Sequence, residues 1–306
     1  EALCPVDLEF EEIREVVKDV GACIVWGGSI DLAPADDLFI RVEYPLSIDP
    51  LLLPSIMSKK KAMGSTHVVV DIPVGIDAKI KTMSEADQLA NDFIELGSRF
   101  DMKIECAITE GDQPIAYNIG PVLEAKEALQ TLNGEGPHEL VNKATNVAGI
   151  LLEMTGNSNG QEMAHELIKS GKALEKMREI IGAQGGNPEI NIDDLVPGSK
   201  TYDVTAPRDG RGLYINNRDL VQIARATGTP SSKKAGLKLF AKLGDPVEEG
   251  NTIFRIYSEK NSKLNNAVKL LEDLRPMEIG KKVGESMLMK RIGKPTMPSR
   301  EFILER

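Results

Sequence analysis

The chain has 306 residues, 41% hydrophobic and 27% charged, which suits two folded domains or one large one and excludes a disordered chain. Its 37 Lys and Arg stand against 47 Asp and Glu, a formal net charge of −10, so the overall basic footprint of a nucleic-acid or anionic-membrane binder is missing. No apolar run approaches the roughly 18 residues of a membrane span. Three widely spaced cysteines (Cys4, Cys23, Cys106) point to reduced thiols in a cytoplasmic protein, and against a disulfide framework or zinc site.

No N-terminal signal pattern is present. Residue 1 is Glu, and Glu1 to Pro5 reads as the interior of a structured region, so a fragment is expected. From Asp7 to Val20, Leu8, Ile13, Val16, Val17 and Val20 recur at helical intervals, and Gly21 ends the helix. Ala22 to Trp26 is a short apolar strand candidate running into Gly27-Gly28. A second helix is predicted from about Leu51 to Met63, capped by Gly64. Val68 to Ile72 then reads as a buried strand, Met83 to Arg99 as a helix and Lys103 to Ile108 as a strand. This alternation is the signature of an α/β layer with a largely parallel sheet. Helices follow at Pro121 to Leu132, His138 to Met154 and Glu162 to Ile181, the last broken by Gly185-Gly-Asn-Pro188. From Lys200 the texture changes to short strands and turns, with a helix at Leu264 to Leu274. Within it, Lys242 to Phe254 alternates around two glycines like the hairpin of biotinyl and lipoyl carrier domains. The turn-rich Gly293 to Arg300 is expected to trail over the surface.

The motifs for chemistry are sparse. His67, His138 and His165 lack companions at metal-ligand spacing and read as surface or helix histidines. Lys260 lacks the flanking methionines of a biotinyl lysine, and Glu285 to Met289 has Leu288 where the lysine belongs, so a structural role is preferred for the carrier-like region. The segment Asp49-Pro-Leu-Leu-Leu-Pro-Ser-Ile-Met-Ser-Lys59 is more informative. Ser55 and Lys59, four apart, share one helix face and would offer a hydroxyl and a cation to a polar ring edge. Asp49, desolvated by its leucine neighbours, would have a raised pKa and serve as a general acid. The plainer alternative, an N-terminal capping region and a solvated lysine run, is favoured by physics alone, because lysine runs at helix ends are common. Lys79 follows the strand and turn Val70 to Gly75, where ligands bind in α/β sheets, or is an ordinary loop charge. Asp36 and Asp37 shape a proline turn.

Taken together, Leu32-Ala-Pro-Ala-Asp36, Ser55-Ile-Met-Ser-Lys-Lys60, Asp71-Ile-Pro-Val-Gly75, Gly120 to Leu129, Ser170-Gly-Lys-Ala173, Met177 to Gly186 and Lys242-Leu-Gly-Asp resemble the thymidine phosphorylase and AMP phosphorylase family, in order, across nearly the whole chain. Tyr44 to Pro50 and Asp71 to Gly75 look more like its archaeal AMP phosphorylase branch. The resemblance implies phosphorolysis of AMP, and of CMP or UMP in the same way, to free base and ribose 1,5-bisphosphate. Inorganic phosphate would be the co-substrate, with no metal or organic cofactor. Asp49 would protonate the leaving base, Ser55 and Lys59 would contact it, and Lys79 would hold the 5′-phosphate. The attacking phosphate would be bound by a Gly- and Ser/Thr-rich region upstream of Glu1. An arginine that contacts the base in the pyrimidine enzymes aligns near Tyr44 and Arg41, and its role passes to neither.

The implied fold is α/β: a nucleoside-phosphorylase-like α/β domain (1–33 and 63–199), a remnant of a helical lobe (34–62) carrying base-site residues, and a small C-terminal α+β domain (200–306). A homodimer or larger homo-oligomer, binding nucleotide and phosphate but neither nucleic acid nor membrane, completes the expectation. Two alternatives stand beside it: a pyrimidine-nucleoside phosphorylase, for which Lys79 is dispensable, and a non-catalytic nucleotide-binding member of the fold.

Overall fold

A computed structural model describes residues 1–26 and 52–281. The predictions at Gly27-Gly28, Asp36, Asp37, Arg41, Tyr44 and Asp49, and those at Glu285 to Met289 and Gly293 to Arg300, lie outside the described residues.

Helix α1 (Phe10–Val20) opens on a capping box, in which the Glu9 amide donates to Glu12 Oε2 at 2.8 Å. It closes at Gly21 in the left-handed region, as the sequence predicts, and buries Ile13 and Val16. Residues 22–26 form no ladder strand. Their apolar run is instead stitched by the buried side chain of Gln184, whose Nε2 donates to the Pro5 and Ile24 carbonyls at 2.8 Å each. Its Oε1 in turn accepts from the Ile24 amide at 2.7 Å. A side-chain amide thus satisfies the backbone groups that a neighbouring strand would otherwise take.

Helix α2 (Leu52–Ala62) turns at Gly64 and feeds β1 (His67–Val74), α3 (Met83–Arg99) and β2 (Lys103–Glu110). β1 and β2 pair in parallel, from His67 opposite Lys103 to Val74 opposite Glu110, so this part is a βαβ unit with α3 as the crossover. The crossover starts sharply because Thr82 Oγ1 accepts from the Glu85 amide at 3.2 Å while Glu85 reaches back to the Lys81 and Thr82 amides. Ala86 and Phe93, both at most 1% exposed, face Val68, Ile72 and Ile104. Burying Phe93 contributes about 2–3 kcal/mol.

β3 (Asn118–Ile119) leads into α4 (Pro121–Leu132), whose Pro121 sits at the first helical position, and α5 (His138–Met154) follows. Where one helix is predicted over Glu162 to Ile181 there are two, α6 (Gly160–Lys169) and α7 (Lys172–Ala183). Gly171, at φ 77°, caps α6 and opens α7 by turning the chain left-handed between them. The apolar periodicity runs through this break and conceals it.

The remaining chain supplies β4 (Lys200–Thr205), β5 (Gly210–Ile215), α8 (Asn217–Ala226), β6 (Gly236–Leu239), β7 (Pro246–Val247), β8 (Thr252–Ser258), α9 (Asn261–Leu270) and β9 (Met277–Gly280). Two antiparallel sheets result, in strand orders β3-β6-β8-β4 and β7-β5-β9. The carrier-like stretch is therefore not a paired hairpin: β7 pairs with β5, and β8 lies between β6 and β4. The turn at Glu248 to Asn251 carries the chain from one sheet to the other. Alternation shows that both strands are half-buried but cannot say which neighbour each one takes. Ile215, Leu220, Ile223, Leu237, Leu239, Phe254 and Ile256, each at most 1% exposed, form the shared core. The predicted helix at Leu264 to Leu274 starts three residues earlier and ends at Leu270. Lys260 lies at the start of that helix, not at a hairpin tip.

Candidate functional site

The loops that leave β1 and β2 at their carboxyl ends touch each other and the C-terminal unit. Gly75, first in the loop after β1, lies so close to the loop after β2 that a Cβ there would fall 2.5 Å from the Gly111 carbonyl carbon. Only a residue without a side chain permits that approach. The Ile76 amide donates to Asp112 Oδ1 at 2.8 Å, and the Gly111 amide to the Val74 carbonyl at 2.8 Å. The first loop closes on itself, with the Gly75 amide donating to the Ile80 carbonyl at 3.1 Å and the Ala78 amide to Gly75 at 3.1 Å. Lys79 is exposed on this loop, beyond the carboxyl end of β1, as its place after the strand predicts.

Ser55 and Lys59 occupy successive turns of α2, both half-buried. At the far end of that helix, Lys61 Nζ donates to the Phe100 carbonyl at 2.7 Å, next to the start of β2. Its first turn, with Ser55, lies at the other end of the helix. Leu53 and Ile56 of this turn pack on the same core as Val74 and Ile80. Helix α2 and the Lys79 loop thus share one core, and Asp49 lies outside the described residues.

Beside these loops a cleft of about 630 Å³ opens between β2 and α5. Thr109, Gln113, His138, Glu139, Asn142 and Lys143 line it. Lys143 Nζ meets Asp71 Oδ2 at 2.6 Å and Thr109 Oγ1 donates to Asp71 Oδ1 at 2.6 Å. The acidic residue of the Asp71-Ile-Pro-Val-Gly75 motif thus pins α5 across both strands. His67 Nδ1 lies 3.0 Å from Thr66 Oγ1, and His138 begins α5. No cluster of three or more His, Cys, Asp or Glu side chains able to hold a metal ion occurs among the described residues. All three cysteines are free, and burial raises the thiol pKa of each.

The sequence reading assigned no role to the residues by which the C-terminal unit braces these loops. Lys242, 3% exposed, donates from Nζ to the carbonyls of Pro114 and Ala116 (2.8 Å to the latter), pairs with Glu139 Oε1 at 2.7 Å and lies 5.2 Å from the Tyr117 ring centre. The Leu243 amide donates to Gln113 Oε1 at 3.0 Å, and Asn217 Nδ2 to the Gly111 carbonyl at 3.3 Å. Tyr214 donates its hydroxyl to Asp77 Oδ2 at 2.5 Å, and this bond raises the tyrosine pKa. A lysine in a turn motif was the one available signal, but its partners lie more than 100 positions away, beyond the reach of periodicity.

Residues 214–278 match the family described as the pyrimidine nucleoside phosphorylase C-terminal domain. Over 306 residues the chain is 45% identical to an AMP phosphorylase of Thermofilum pendens, covering 100% of this chain and 60% of that protein. It is 50% identical over 285 residues to an AMP phosphorylase of Pyrococcus furiosus, covering 91% and 57% respectively. With an AMP phosphorylase of Methanosarcina barkeri it shares 47% identity over 298 residues, covering 95% and 58%. The chain thus spans about three fifths of the length of the curated relatives it matches. No described helix is long and apolar enough to cross a membrane.

Proposed function

We propose, from the premise that this chain belongs to the thymidine phosphorylase and AMP phosphorylase family, that the protein containing it cleaves AMP with inorganic phosphate. The observation that carries this reading is identity of 45–50% along nearly the whole chain to proteins named AMP phosphorylases. A phosphate oxygen attacks the anomeric carbon of the ribose as the bond to the base breaks, and the bonding electrons leave with the base. A proton from Asp49 neutralises the departing adenine, and ribose 1,5-bisphosphate remains. CMP and UMP are substrates of the same chemistry. Charge develops in both directions during such a cleavage, so a cation and a proton donor at the base lower the barrier.

In this reading Ser55 and Lys59 hold the base from α2, and Lys79 takes the 5′-phosphate as a point charge. No metal or organic cofactor takes part. A helical lobe, to which 34–62 belongs, closes on the α/β domain (1–33 and 63–199), with 200–306 as the third unit, and the protein is a cytoplasmic homodimer or larger homo-oligomer. The core that Leu53 and Ile56 of α2 share with Val74 and Ile80, which flank the Lys79 loop, supports this placement.

A second reading, cleavage of pyrimidine nucleosides, is favoured by the match at residues 214–278. The full-length protein, incubated with phosphate and separately with AMP, CMP, UMP, adenosine and thymidine, decides between them by chromatography of free base. Phosphate-dependent release from nucleotides but not nucleosides supports the AMP reading. Release from thymidine alone moves the protein to the pyrimidine branch, and no release from any substrate removes the enzymatic reading.

A further inference from the structure

We propose that Tyr214 is a positioning residue for the nucleotide's 5′-phosphate: by holding Asp77, its hydroxyl sets the turn that carries Lys79. The inference rests on the reading in which Lys79 binds that phosphate, and assigns to the C-terminal unit a share in choosing nucleotide over nucleoside.

The loop after β1 is closed at its base by the Gly75 amide to Ile80 carbonyl bond and the bridge between Val74 and Ile80. One side is tied to the neighbouring loop through Ile76 and Asp112. Its apex, residues 77–79, is reached from the C-terminal unit by the 2.5 Å bond between the Tyr214 hydroxyl and Asp77 Oδ2. That tyrosine has a rigid base. Its neighbour Ile215 is fully buried in the shared core, and Tyr214 itself stands opposite Glu278 of β9, where the β5–β9 register shifts between Gly212 and Tyr214. A register shift of this kind re-aims a side chain away from the regular alternation.

The chemistry gives the bond two effects on a phosphate. First, a lysine contributes most to binding a dianion when its backbone is fixed before the ligand arrives, since less freedom is then lost. Second, Asp77 is a carboxylate two residues from Lys79 on the same turn. Engaged by a phenolic donor, it is held on the C-terminal unit; released, it competes with the phosphate for the same cation and repels the dianion. The hydroxyl remains a donor throughout the neutral range, because the bond to Asp77 raises the tyrosine pKa.

The test measures calorimetric affinities of the full-length protein for AMP and for adenosine, without inorganic phosphate so that no turnover occurs. The wild type is compared with Tyr214→Phe, which keeps the ring and removes the donor. Loss of one hydrogen bond to a charged group predicts about a tenfold weaker AMP affinity, with adenosine unchanged. Amide hydrogen exchange should also quicken at residues 76–80. Asp77→Ala removes the other end of the bond without touching β5, and the competing carboxylate with it; only the loosened turn then acts, so if Tyr214→Phe fails to fold, a smaller fall in the same AMP-to-adenosine ratio with quicker exchange at residues 76–80 is expected. Asp203→Asn, which breaks an ion pair with Arg255 between β4 and β8 rather than one on β5, should leave the ratio alone. Equal weakening of both ligands would make Tyr214 a general support and overturn the inference, as would an unchanged ratio. A wild type that binds AMP no better than adenosine refutes the phosphate role of Lys79 itself, an outcome separable from the others because it appears before any substitution.

Discussion

Lys242→Met tests whether the C-terminal unit is fastened to the α/β layer by one buried cation. Methionine keeps nearly the length and apolar stem of lysine, so packing is conserved and the charge is what is lost. The substitution removes a 2.7 Å ion pair to Glu139 and two charge-assisted bonds to the carbonyls of Pro114 and Ala116, at a site 3% exposed. Glu139 is itself 39% exposed and returns to water at little cost, whereas Ala116, 2% exposed, keeps its carbonyl in a closed environment. Breaking a buried pair costs about 3–5 kcal/mol, and relief of the lysine's own desolvation offsets part of it, so a net loss of about 3 kcal/mol is predicted. At roughly 2–4 °C per kcal/mol for a unit of this size, the thermal midpoint should fall by about 6–12 °C. Scanning calorimetry and urea titration of the full-length protein read this directly. A midpoint within about 1 °C of wild type would mean that the cation only balances its own desolvation, and would refute the fastening argument.

Lys79→Gln should raise the KM for AMP by about 10- to 150-fold, the cost of losing a charge-assisted contact, and an unchanged KM in steady-state assays would return Lys79 to an ordinary loop charge. Asp49→Asn should lower turnover by about 10²- to 10⁴-fold with AMP affinity retained, as for a lost general acid; normal turnover would reduce Asp49 to a helix cap. The Asp203 carboxyl is held below its ordinary pKa by hydrogen bonds from Arg255, at 2.5 and 2.8 Å. Its contribution is therefore present above the unfolded value near pH 4 and lost as pH falls through the folded one. Both side chains are more than a third exposed, which limits the contribution to under about 1 kcal/mol. Urea midpoints of wild type and Asp203→Asn should differ slightly at pH 6 and converge toward pH 3, and a difference independent of pH would contradict the assignment.

What could be read from the sequence follows how local each cause is. The bounds of Met83–Arg99, Pro121–Leu132 and His138–Met154 are predictable because Thr82 with Glu85, Pro121, and the turn before His138 are signals within a few residues of the ends. The break at Gly171 is not, because a glycine is tolerated inside a helical pattern and only its positive φ ends the helix here. Residues 22–26 have the composition of a strand, but Gln184, some 160 positions away, takes the backbone bonds that would have built a ladder. The candidate site divides in the same way. The i, i+4 spacing of Ser55 and Lys59 and the post-strand place of Lys79 are local facts. The bracing of their loops by Tyr214, Asn217 and Lys242 exists only in three dimensions. Asp71 shows the converse: a conspicuous motif residue whose carboxylate serves to join β1, β2 and α5.

The central claim is phosphorolysis of a nucleotide, and phosphorus NMR of the full-length protein with AMP and inorganic phosphate tests it most directly. The account predicts that the inorganic phosphate signal falls as adenine appears, with two phosphate ester signals of equal intensity arising from one sugar product, ribose 1,5-bisphosphate. Adenine release with the inorganic phosphate signal unchanged and only ribose 5-phosphate formed would identify hydrolysis and contradict the claim, and so would AMP left intact.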